Sequence, residues 1–78
     1  MIEDYIEEDP FRPGPADARL RGSGVHVWIL AAQLPAFNGD ATALAAAYHL
    51  PLEAITAALA YYRRHQKPID ALIARNAA

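Results

Sequence analysis

The chain contains no cysteine. Disulfides, thiol catalysis and cysteine-ligated zinc are therefore all excluded. No apolar run approaches the roughly 20 residues needed to span a bilayer. Aromatic residues make up only 9% and charged residues 21% of the 78 positions. The first nine residues hold no basic side chain, whereas a secretory signal opens basic and then turns apolar. A cytoplasmic location is the default expectation. What is abundant is apolar: 54% of the residues, 18 of them alanine. That content excludes a wholly disordered chain. Alanine favours helix but fills little volume, and a chain this short buries only about 60% of its unfolded surface. Small domains without staples often gain core by pairing, so a homodimer is expected.

Charge is unevenly spread. Glu3, Asp4, Glu7, Glu8 and Asp9 crowd the start, while residues 10–78 carry seven Arg or Lys against four acids, a net of +3. The acidic start reads either as a solvated tail or as a segment that docks on a basic surface, its own or a partner's. Pro10, Pro13, Gly14 and Pro15 follow, which make a linker and no helix. Residues 1–16 thus read as an acidic, proline-containing arm. Residues 17–78 read as a folded domain.

In Arg19-Leu20-Arg21-Gly22-Ser23-Gly24-Val25-His26-Val27, two glycines separate short β-prone pieces, which predicts a small ribbon. Ser23 between glycines lacks the Gly-Lys-Ser/Thr of a phosphate loop. A first helix is predicted from Trp28 to Leu34 and is apolar on nearly all sides, so it needs cover beyond a small core. Pro35 to Gly39 reads as a loop, closed by Asn38-Gly39, and Asp40 stands where a helix N-cap belongs. A second helix is expected over Ala41–Tyr48 and a third from Pro51 to about Gln66. Pro68 should kink or divide the last helix near Lys67, with a final piece over Ile69–Arg75. Leu52, Ile55, Leu59, Tyr62, Gln66, Ile69 and Ile73 fall on one helical side and read as core plus dimer seam, or as a groove-filling face for a second protein. The fold class is mainly α: a short N-terminal β-ribbon followed by a three-helix domain of helix-turn-helix type.

In that motif Leu44 and Ala45 fill inward positions, Leu50 plugs the turn, and Ile55 and Leu59 anchor the second helix. His49 stands where the backbone often turns left-handed, a region histidine visits more readily than most residues. The base-reading positions of the second helix, around Leu52, Glu53, Ala54, Thr56 and Ala57, include no Arg, Lys, Asn or Gln. The candidate DNA-facing set is Arg19, Arg21, Thr42, Leu52, Glu53, Thr56, Arg63 and Arg64, the arginines suited to phosphates. Arg63, Arg64 and Lys67 equally suit a helix C-terminus. The candidate partner or dimer surface is Trp28, Tyr61, Tyr62, Ile69, Leu72 and Ile73. His26, His49 and His65 have no carboxylate at ligand spacing, so no metal site is expected. The few hydroxyls have no histidine placed beside them, so no enzyme activity, cofactor or small-molecule substrate is expected.

Several short runs together resemble a known family. They are the acidic Ile2-Glu3-Asp4-Tyr5 start, Arg19-Leu20-Arg21-Gly22-Ser23, the capped Leu44-Ala45 helix, Leu52-Glu53-Ala54-Ile55, and Ala58-Leu59-Ala60-Tyr61-Tyr62 with Ile69-Asp70-Ala71. Over residues 17–76 the chain resembles the small bacterial and archaeal family of the domain of unknown function 433, whose members are commonly described as antitoxins of the VapB kind. The resemblance implies a dimerising domain with a short β element, a partner toxin of the PIN-like ribonuclease class, and binding to the promoter of its own operon. The chain departs from the family pattern at Gly24, where a basic residue is usual, and in the shortened turn His49-Leu50-Pro51.

Overall fold

A computed structural model describes residues 2–77. Two short strands, β1 (Ile6–Glu7) and β2 (Arg19–Leu20), precede four helices: α1 (Val27–Gln33), α2 (Ala41–Tyr48), α3 (Leu52–Arg64) and α4 (Gln66–Asn76). Single 3-10 turns occupy Ile2–Asp4, Pro15–Asp17 and Leu34–Phe37.

Local chemistry explains both ends of α2 and the break between α3 and α4. Asp40 is the N-cap of α2, and its Oδ1 accepts from the amides of Thr42 and Ala43 at 3.0 and 3.3 Å. Such a cap contributes about 1 kcal/mol by satisfying donors that have no partner inside the helix. His49 ends α2 in the left-handed region (φ 55°, ψ 42°), and the chain direction turns through 117° into α3. A three-residue connection and a turn of this size are helix-turn-helix geometry. The segment read as a loop after α1 is a 3-10 turn, closed as expected by Asn38 and Gly39 at φ 58° and 76°.

The C-terminal helix divides as Pro68 announces, but slightly earlier than Lys67, and the last piece is the separate helix α4. The break is at His65 (φ −128°, ψ 38°), and Pro68 sits inside the first turn of α4. In an unbroken helix the Pro68 ring would collide with the carbonyl of Arg64, four residues back. Breaking at His65 removes that clash. Within the first turn of α4, the missing proline N–H is one that would have had no helical partner anyway.

The ribbon also differs. The antiparallel partner of β2 is the acidic start: Ile6 pairs with Leu20 and Glu7 with Arg19. On the other side, the strand expected up to Val27 shrinks to one bridge between Arg19 and His26, and Val27 already opens α1. Ser23 Oγ accepts from the Val25 amide at 3.3 Å, a local turn contact.

Leu20, Val27, Leu30, Leu44, Ile55 and Ile69 form the fully buried centre, joined by Ile6, Ala58 and Leu59. Each large aliphatic side chain buried there is worth roughly 1.5–3 kcal/mol. The apolar helix α1 lies against α3 and α4 and under the Pro15–Asp17 turn. Every residue of it except Gln33 is buried or half-buried. Val27 and Leu30 are its buried residues, while Trp28, Ile29, Ala31 and Ala32 keep part of their surface outside the single chain. The radius of gyration, 11.5 Å, matches the roughly 11.5 Å that scaling gives for a compact chain of this length, so the acidic start does not trail from the body. No single helix among the described residues is long and apolar enough to cross a membrane.

Candidate interaction surface

The acidic segment is docked on the chain's own arginines. Glu7 Oε2 accepts from Arg19 Nε at 2.8 Å, and Glu7 Oε1 lies 3.5 Å from Arg21 Nη1. Asp9 reaches Arg19 at 4.0 Å and Glu3 reaches Arg64 at 3.7 Å. The Arg21 amide donates to the Tyr5 carbonyl at 2.8 Å, and its Nε donates to the Glu3 carbonyl at 3.4 Å. Ile6, 6% exposed, sits beneath these charges in the core. Of the two readings of the acidic start, the docked one describes residues 2–9, and the basic surface is the chain's own. Of the arginines considered for DNA, Arg19, Arg21 and Arg64 therefore already face carboxylates.

The other proposed DNA-facing residues are dispersed. Thr42 is exposed in the first turn of α2. Leu52, Glu53 and Thr56 are exposed at the start of α3, but the Thr56 hydroxyl donates back to the Glu53 carbonyl at 3.0 Å. Beside them a shallow depression of about 340 Å³ is walled by Ile2 and Tyr5 on one side and by Glu53, Thr56, Ala57 and Ala60 on the other. The N-terminal segment thus borders the outer face of α3. Arg63 is exposed near the C-terminal end of that helix.

The proposed partner surface is also divided. Ile69 is fully buried and Leu72 is 9% exposed, so both belong to the chain's own core and neither is presented to a partner. The fold-back of α4 after His65 turns these two residues inward. Trp28, Tyr61, Tyr62 and Ile73 are half-buried against that core.

Tyr61 borders a larger cleft of about 500 Å³ between β1 and the end of α3, with apolar walls from Ile2, Ile6 and Pro15. The Tyr61 ring stands 4.5 Å from that of His65, centroid to centroid, tilted by 39°. Burial, and then the nearby charge of Glu8, push the Tyr61 hydroxyl above its ordinary pKa.

Tyr62 donates to Asp70 Oδ1 at 2.6 Å and ties α3 to α4 across the break. That bond, ahead of burial and of the Asp70 charge, raises the Tyr62 pKa above its ordinary value of 10.0. A raised folded-state pKa means that the bond's contribution is full below about pH 10 and is lost as pH rises through the higher value. Y62F should therefore be less stable than the parent by under about 1 kcal/mol at neutral pH, because the bond is open to solvent. The gap should close in strongly alkaline solution. Urea unfolding of both proteins at pH 7 and above pH 10 checks this.

Phe11 carries no periodic or compositional signal, yet it is the most exposed large apolar side chain described, at 91%. It rides a tight turn in which Asp9 Oδ1 accepts from the Phe11 amide at 2.9 Å and the Asp9 carbonyl accepts from Arg12 at 3.1 Å. Glu8 Oε1 holds the Gly14 amide at 3.0 Å. The available sign was the Asp9-Pro10 turn pair with a lone aromatic behind it.

Among the described residues no three His, Asp or Glu side chains converge as a metal-ligand set. The three histidines occupy the start of α1, the α2–α3 turn and the α3–α4 break. No family model, curated protein or solved structure matches the chain.

Proposed function

We propose that this chain is a dimeric, antitoxin-type protein that acts by holding another macromolecule, binding and occluding a ribonuclease of the PIN-like class. The observation that carries this reading is the character of the α3 outer face. The positions where a helix-turn-helix would read bases are Leu52, Glu53 and Thr56, bordered by the acidic N-terminal segment. An apolar and acidic face is poorly suited to a duplex and well suited to a basic protein. A ribonuclease surface that holds RNA must be basic. The residue runs that resemble the domain of unknown function 433 family point the same way.

The test takes any small PIN-like ribonuclease found encoded beside this chain's gene. Co-purified with it, the chain should elute as a stable complex on gel filtration and protect RNA from cleavage. E53K should weaken both. Absence of a complex together with unprotected RNA would end this reading.

The second reading is a stand-alone dimeric regulator that binds operator DNA. The 117° turn between α2 and α3 favours it. Its affinity for upstream DNA would fall steeply with salt, as phosphate contacts require. A flat salt response removes it.

A further inference from the structure

We propose that two copies of this chain pair about a two-fold axis, each seating Phe11 in the other's cleft between β1 and the end of α3. The inference rests on the dimeric part of the reading above and needs neither ribonuclease nor DNA.

The knob is specific. Phe11 is 91% exposed, and the only other exposed large apolar side chain described is Leu52 at 41%. A phenylalanine offers on the order of 150–250 Å² for burial, and leaving it in water on a turn tied at Asp9 and Glu8 gains the monomer nothing. Aromatic anchors of this kind concentrate binding energy at interfaces.

The hole fits it. The cleft, about 500 Å³, is roomy enough for one phenyl ring, and Ile2, Ile6, Pro15 and the Tyr61 ring supply the apolar part of a lining that is otherwise charged or polar. An incoming ring would meet Tyr61 in the offset or edge-on contact that aromatic pairs prefer. Its charge also fits. Glu3, Glu7 and Glu8 line the cleft against Arg21 and Arg64, leaving one excess negative charge. Arg12, next to the knob, is 74% exposed in its side chain, and its one ion pair among the described residues is with Asp17, at 4.0 Å.

The placement selects a second copy as the occupant. Glu8 and Pro15, the two roots of the Phe11 loop, themselves line the cleft. Phe11 is three residues from Glu8, so knob and hole lie within about 11 Å of one another along the chain. A self-complementary interface needs knob and hole side by side, so that one axis between them closes both contacts.

The experiment is sedimentation equilibrium of the full chain from 1 to 100 µM, with F11S, F11W and R12E alongside. The parent should be a dimer. F11S should raise the dimer Kd at least 100-fold with an unchanged far-UV circular dichroism spectrum. F11W should retain pairing, and R12E should weaken it in a salt-dependent way. A parent that stays monomeric at 100 µM overturns both this inference and the dimeric reading. An F11S protein that pairs as tightly as the parent overturns this inference alone.

Discussion

Replacing Leu30 with alanine should lower the unfolding free energy by about 2–5 kcal/mol. Leu30 is fully buried in α1, the helix that α3 and α4 enclose. Truncation removes the transfer energy of its outer carbons and leaves a cavity that helices held on several sides cannot close. A chain of 78 residues has a total stability of only about 4–12 kcal/mol, so this one change should remove a large share of it. Urea titration would show a fall in midpoint with little change in slope. The half-buried neighbour Ile29, truncated in the same way, should cost clearly less. Equal losses at the two positions would mean that α1 is not enclosed as described.

The second large effect is expected at Ile6. I6D puts a carboxylate into the core beside Leu20, where none of the buried side chains described is polar or charged. A buried unpaired charge is too costly to keep, so β1 should leave the body. Amide exchange would report this directly. The Arg21 amide, which donates to the Tyr5 carbonyl at 2.8 Å, should lose its protection, while amides within α3 keep theirs. Release also strips Arg19, Arg21 and Arg64 of Glu7, Asp9 and Glu3. The released protein should elute from a heparin column at higher salt than the parent, since each freed cation can displace counterions from a polyanion. E7Q, which weakens two of these pairs and keeps Ile6 in place, should shift elution in the same direction but by less. Unchanged heparin retention, with exchange showing that the segment has left, would mean that these arginines do not form a polyanion surface.

Features set by neighbours a few residues apart were legible in the sequence. Asp40 caps α2, and α2 spans Ala41–Tyr48 as its pattern indicates. His49 takes the left-handed turn because few side chains tolerate it and the next residues must reverse the chain. The position of the α3–α4 break was less legible. Pro68 announces a break, but the clash it causes falls four residues upstream, so the helix parts at His65 and not at Lys67. β1 was not legible: two residues with no apolar alternation make no strand signal, and they pair only because β2 lies open beside them. The surface was the least legible part. Ile69 and Leu72 share a stripe with interface candidates, and only the angle at which α4 folds back sends them inward. Phe11 resembles any loop residue until the turn is seen to hold it in water.

Composition and short-range pattern alone therefore determined that this protein is mainly helical and where its helices start and stop to within a few residues. Tertiary structure decided which charges meet and which apolar side chains remain outside. Capping, turn and helix preferences act over three or four residues and are written in adjacent letters. The ion pairs of Glu3 and Glu7 join positions 12 to 61 residues apart, and such contacts exist only once the chain has closed on itself.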